Sequence, residues 1–102
     1  MAEVESARGE PSELLLAALC ELKTPDEAAR LLRDICSPRE IDDLSQRIEV
    51  AALLSEGRSY VDVSRTTGAS STTVSRVSKC LNGPDGGYRL VLERLRSDAS
   101  EA

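Results

Sequence analysis

The residues best suited to chemistry lie between Tyr60 and Lys79, and the chemistry they suit is contact with a polyanion. Read as a helix from Ser70 or Ser71 to about Leu81, the second half of this stretch has two faces. Val74, Val77 and Leu81, spaced by three and four, form an inner stripe. Ser71, Thr72, Ser75, Arg76 and Lys79 form the outer face, which carries hydroxyls and cations and no acid. Hydroxyls bond phosphates and base edges, an arginine forks onto guanine O6 and N7, and a lysine neutralises phosphate. A solvated helix without function would mix Asp and Glu into such a face. Gly68-Ala69-Ser70 also leaves free amides at a helix N-terminus, where phosphate binds readily. The candidate DNA contacts are therefore Ser59, Ser70, Ser71, Thr72, Thr73, Ser75, Arg76 and Lys79.

Other chemistry is sparse. The chain has no His, which removes Cys/His zinc sites, Cys–His nucleophile pairs and histidine acid–base catalysis. The paired carboxylates Asp26-Glu27 and Asp42-Asp43 stand on helical stretches among other charges and read as solvated faces. Cys20, Cys36 and Cys80 lack CxxC spacing and read as small buried apolar residues in a reducing compartment. Lys79 beside Cys80 would lower a thiol pKa, but Val77 and Leu81 next to it argue for packing. No motif calls for a cofactor or a metal, and no enzymatic activity is expected.

The outer face needs a helix-turn-helix to present it, and the preceding residues have that spacing. Ser59 caps a short helix ending near Thr66, on which Val63 is the apolar contact and Ser64 is small enough for a close helix crossing. Gly68 permits the positive φ of the turn, and Ala69 tucks inward after it. Thr67 is off type, since an apolar residue is commoner there; its methyl is a partial substitute.

Upstream, Ser12 opens a first helix through Leu22. Thr24-Pro25-Asp26-Glu27 starts a second, to Ile35, with Thr as N-cap, Pro at the first helical position and Glu three residues after the cap. Ser37-Pro38-Arg39-Glu40 repeats that grammar for a third, from Pro38 to Glu56, which Gly57 ends. Asn82 to Gly87 breaks the chain before a last helix from about Tyr88 to Arg96. No segment alternates with period two, so no sheet is expected. Residues 12–96 then form one all-α domain with its helix-turn-helix at about 59–81, residues 1–11 a disordered acidic tail and 97–102 a flexible tail.

The 102 residues suit one small domain. The longest apolar run, Leu14 to Leu19, is far short of the roughly 18–20 residues of a membrane span, and it follows acidic residues, unlike a signal peptide. The first helix is apolar on several faces through Leu14, Leu15, Leu16, Leu19 and Leu22, more than so small a chain can cover, which points to a partner subunit. Net charge is −5, yet its halves differ: residues 58–96 hold 7 Lys+Arg against 3 Asp+Glu, residues 1–57 hold 6 against 13. The basic half is the half with the motif; the acidic half would repel DNA and enforce one docking face.

From Leu14 to Leu95 the chain resembles the Trp repressor superfamily, and within it the small YerC/YecD-type branch. The carrying residues are Leu31 to Glu40 (LLRDICSPRE), Ser45-Gln46-Arg47, Ala52 to Gly57 (ALLSEG), and Thr67-Gly68-Ala69-Ser70 followed by Val74-Ser75-Arg76-Val77. The resemblance implies an all-α fold of about six helices, an interlocked homodimer and binding of a palindromic operator in double-stranded DNA. It also implies a ligand pocket. In the tryptophan-binding member two arginines and a threonine hold the amino acid beside a recognition-helix glycine; Arg47, Arg76 and Thr73 match the polar three, while Val77 stands at the glycine. The candidate pocket is thus Arg47, Thr73, Arg76 and Val77, and an isopropyl group where the indole must lie makes tryptophan an unsuitable co-repressor. The plain alternative for Arg47 is an ion pair with Asp43 on its own helix.

The expectation is a cytoplasmic, nucleoid-associated, sequence-specific DNA-binding regulator, a repressor by class. The alternative is a helical adaptor whose helix-turn-helix contacts another protein.

Overall fold

The computed structural model describes residues 9–101, which hold six helices and no strand. They are α1 (Glu13–Cys20), α2 (Pro25–Ile35), α3 (Pro38–Ser55), α4 (Tyr60–Thr67), α5 (Ser71–Leu81) and α6 (Gly87–Glu101). Residues 1–8 of the expected acidic tail lie outside the described residues.

The starts follow the caps. Ser12 accepts from the Leu15 amide at 3.0 Å. Thr24 accepts from the Glu27 amide at 3.1 Å, and the Glu27 carboxylate reaches back to the Lys23 amide at 2.9 Å, so two otherwise orphaned donors are satisfied reciprocally. Gly57, at φ +88°, closes α3.

The first and last helices stop at other residues than expected. The first helix stops at Cys20, not Leu22, because its last turn tightens: the Glu21 and Leu22 amides bond the carbonyls three residues back. Thr24 must then be extended, both to cap α2 and to precede Pro25. The last helix runs on to Glu101, so residues 97–101 are helical where a flexible tail was expected. Ser97 to Glu101 contains no Pro or Gly that would end the hydrogen-bond ladder.

The chain divides into two units between Ser37 and Pro38. In the first, neither α1 nor α2 has a buried residue, and Leu14 is 80% exposed and Leu19 46%. In the second, α5 packs against α3, α4 and α6. Its core is Val50, Ala51, Val63, Ala69, Val74, Val77, Leu81 and Leu92. Val50, Val63 and Val74 are fully buried, each contributing roughly 1.5–3 kcal/mol of transfer free energy. Val63, Ala69, Val74, Val77 and Leu81 are the apolar positions of the helix-turn-helix, and Val50 and Ala51 of α3 and Leu92 of α6 complete the core, so it is built where it fixes α4 and α5 against each other and against α3 and α6.

Candidate nucleic-acid interface

The turn between α4 and α5 is wired from both sides. Gly68 caps α4 in the left-handed region at φ +78°, a conformation that strains any L side chain. The Ser64 hydroxyl donates to the Ala69 carbonyl at 2.6 Å, which only a small residue at this crossing permits. Thr67 does more than lend a methyl: its hydroxyl donates to the Val63 carbonyl at 2.8 Å and accepts from the Ala69 amide at 3.1 Å. The Gln46 side-chain amide on α3 donates to the Thr67 carbonyl at 3.4 Å, tying the turn to the neighbouring helix. Sequence reasoning named neither Gln46 nor the hydroxyl of Thr67 as turn contacts.

On this frame Ser70 caps α5, accepting from the Thr73 amide at 3.1 Å and donating to the Thr73 hydroxyl at 3.2 Å. Ser59 caps α4 in the same way, accepting from the Asp62 amide at 3.1 Å. These two serines, with Thr73 half-buried, are engaged in local structure. Ser71, Thr72, Ser75, Arg76 and Lys79 are exposed together along the outer face of α5, while Val74, Val77 and Leu81 are buried opposite. Among the described residues no acid pairs with Arg76 or Lys79.

The acid of α4, Asp62, is bound by the Arg58 guanidinium through a short ion pair, and Arg58 also donates to the Thr66 hydroxyl at 3.3 Å. Hydrogen bonding to Arg58 holds the Asp62 carboxyl below its ordinary pKa, and the same bond raises the Arg58 guanidinium. The far end of α5 is clamped by Arg89, which donates to the Leu81 carbonyl and, at 3.0 Å, to the Gly83 carbonyl. The Leu81 carbonyl is the last of α5 and the Gly83 carbonyl lies just past its cap, at the end of the helix where a cation is favoured.

The candidate pocket residues also come together. Arg47, Thr73, Arg76 and Val77 line a cavity of about 300 Å³ with Cys80 and Tyr88. No ion pair joins Arg47 to Asp43 among the described residues; the guanidinium lies close enough to Tyr88 to favour its phenolate. Burial, followed by the neighbouring Cys80 thiol, outweighs that effect and pushes the Tyr88 phenol up. Tyr88 is a lining residue that the sequence did not single out, because it lies on another helix. The cysteines are not the buried apolar residues expected: Cys20 and Cys80 are exposed and Cys36 is half-buried. Cys80 follows the inner stripe in sequence but falls between that stripe and the outer face, at the open cavity it lines with Tyr88, and stays exposed.

A second helix packed on its inner side against the first and exposed on its outer side is the arrangement of a helix-turn-helix protein. The profile of the Trp repressor protein family matches residues 11–96, and the chain belongs to that family. It is 36% identical over 100 residues to the uncharacterized protein YerC of Bacillus subtilis strain 168, covering 98% of this chain and 96% of YerC. Among solved structures it is similar to a TrpR-like protein of Eubacterium eligens, with 50% identity, a TM-score of 0.75, and coverage of 81% of this chain and 86% of that one. A Trp-repressor-type protein of Staphylococcus aureus gives 32% identity, a TM-score of 0.78, and coverage of 82% and 84%. No helix among the described residues is long and apolar enough to cross a membrane.

Proposed function

We propose that this protein is a sequence-specific DNA-binding transcriptional regulator, a repressor, that binds a palindromic operator as a homodimer. The observation that carries this reading is the outer face of α5, where Ser71, Thr72, Ser75, Arg76 and Lys79 are exposed with no acid among them. In a helix-turn-helix the second helix enters the major groove and its N-terminal residues meet base edges. Ser71 and Thr72 hold that position; Arg76 and Lys79 follow one and two turns later, where phosphate and guanine contacts fall. The dimer rests on the exposed leucines of α1, which a second copy would cover, making residues 12–96 one functional domain within the pair.

In this reading DNA binding does not wait for tryptophan. Val77 is 4% exposed and belongs to the core with Val74 and Leu81, so α5 is already held from within. Arg47, Thr73 and Arg76 remain available to a smaller carboxylate in the cavity beside Val77.

Selection from random duplex DNA with the purified protein tests the function. The expected result is an enriched palindromic motif whose binding weakens steeply with salt, as phosphate contacts release counterions. No enrichment would defeat the reading and favour the protein-interaction adaptor.

A further inference from the structure

We propose that Tyr60 and Val61 form a thymine-reading edge beside the recognition helix, their groove receiving the 5-methyl group of a thymine in the operator. This rests on the DNA-binding reading above and extends it to a residue pair on α4 and to a base identity. Both side chains stand at the start of α4, 51% and 66% exposed. They line a groove of about 340 Å³ with Ser64, Arg65 and Ser71. Ser71 is the first residue of α5, so the groove is continuous with the proposed reading face.

The groove is apolar and held in place. The Tyr60 hydroxyl bonds the Ser78 hydroxyl on α5, which pins the ring across the two helices. Val61 is β-branched and has essentially one rotamer on a helix. Its electrostatics suit DNA: Arg65 brings a cation to the rim, and the acid of α4, Asp62, is neutralised by Arg58. The edges of base pairs in the major groove are almost wholly polar, and the thymine methyl is their apolar feature. A rigid apolar seat flanked by a cation and by the first residue of the recognition helix fits that group. A deoxyribose or a protein side chain could also touch an apolar groove, but neither would distinguish thymine from uracil.

The operator recovered by selection supplies the probe. Each thymine is replaced in turn by deoxyuridine, which deletes only the methyl. The expected result is one thymine per half-site at which the unmodified protein loses about fourfold in affinity, the effect of one buried methyl. Val61→Ala, an exposed change that leaves the core untouched, should bind the thymine and uracil duplexes equally and keep the salt dependence of the parent. Binding that ignores every replacement, or a thymine preference that survives undiminished in Val61→Ala, overturns the proposal while leaving DNA binding in place. Failure to bind any DNA overturns both.

Discussion

Arg76 and Lys79 are both cations on one face of α5, yet they should act differently from the hydroxyls that precede them. In the proposed complex Lys79 meets phosphate, so Lys79→Ala should weaken all sequences alike and reduce the slope of log affinity against log salt by about one unit. Ser71 and Thr72 sit at the N-terminal turn, and changing both to Ala should alter the selected motif more than the total affinity. An unchanged motif in that variant would show the reading face to be elsewhere. Asp62 gives a pH test. Its carboxyl is held low by Arg58 in the folded chain, so the pair stabilises fully above the ordinary carboxylate value of about 3.9 and fades as pH falls through the lower folded value. Thermal melts of Asp62→Asn should therefore fall below the parent at about pH 7 and converge with it in acid, once the pH lies below the lowered folded value. The pair is exposed, so the difference should also shrink in high salt.

At the scale of elements, α5 is the part whose posture the proposed DNA binding depends on. Val74, Val77 and Leu81 pack it against its neighbours, and Arg89 closes its C-terminal end. A ligand shifts a helix only if it binds one posture better than the other. With the inner stripe already buried, tryptophan has little posture left to select. Operator affinity should accordingly change less than tenfold on adding tryptophan, and calorimetry should detect no strong binding of it. A tenfold gain or more, about 1.4 kcal/mol of coupling, would contradict this. The helices themselves were largely legible: Ser12, Thr24, Ser59 and Ser70 all cap where their types and spacing indicate. The exceptions were ends without a strong stop, after Cys20 and beyond Arg96, where a tightened turn and an uninterrupted ladder decide the boundary.

At the scale of the molecule, the question is what covers α1. Leu14, Leu15, Leu16 and Leu19 are all exposed, and no residue of α1 or α2 is fully buried in the single chain. An eight-residue helix of this composition is marginal in water by itself and gains its stability from apolar contacts. Sedimentation should show a dimer at micromolar concentration. Leu19→Glu should place an unpaired charge in the interface, lower dimer stability by several kcal/mol and, with it, operator affinity. A stable, folded monomer of the unmodified chain would defeat this account of α1.

The sequence by itself determined the all-α class, the helix starts, the turn at Gly68 and the two faces of α5. All of these rest on interactions within about four residues, the reach of a cap or a helical period. Only the tertiary structure decided what bridges longer separations. Gln46 reaches Thr67 across 21 residues and Tyr60 reaches Ser78 across 18. Tyr88 joins Arg47, Thr73 and Arg76 around one cavity from a different helix. The cysteines show the same limit, since burial depends on which element lies above a position. No local pattern states that α5 leaves Cys80 uncovered while it buries Val77 and Leu81. Periodicity assigns a residue to a side of its helix; the packing of neighbouring helices decides which sides are covered.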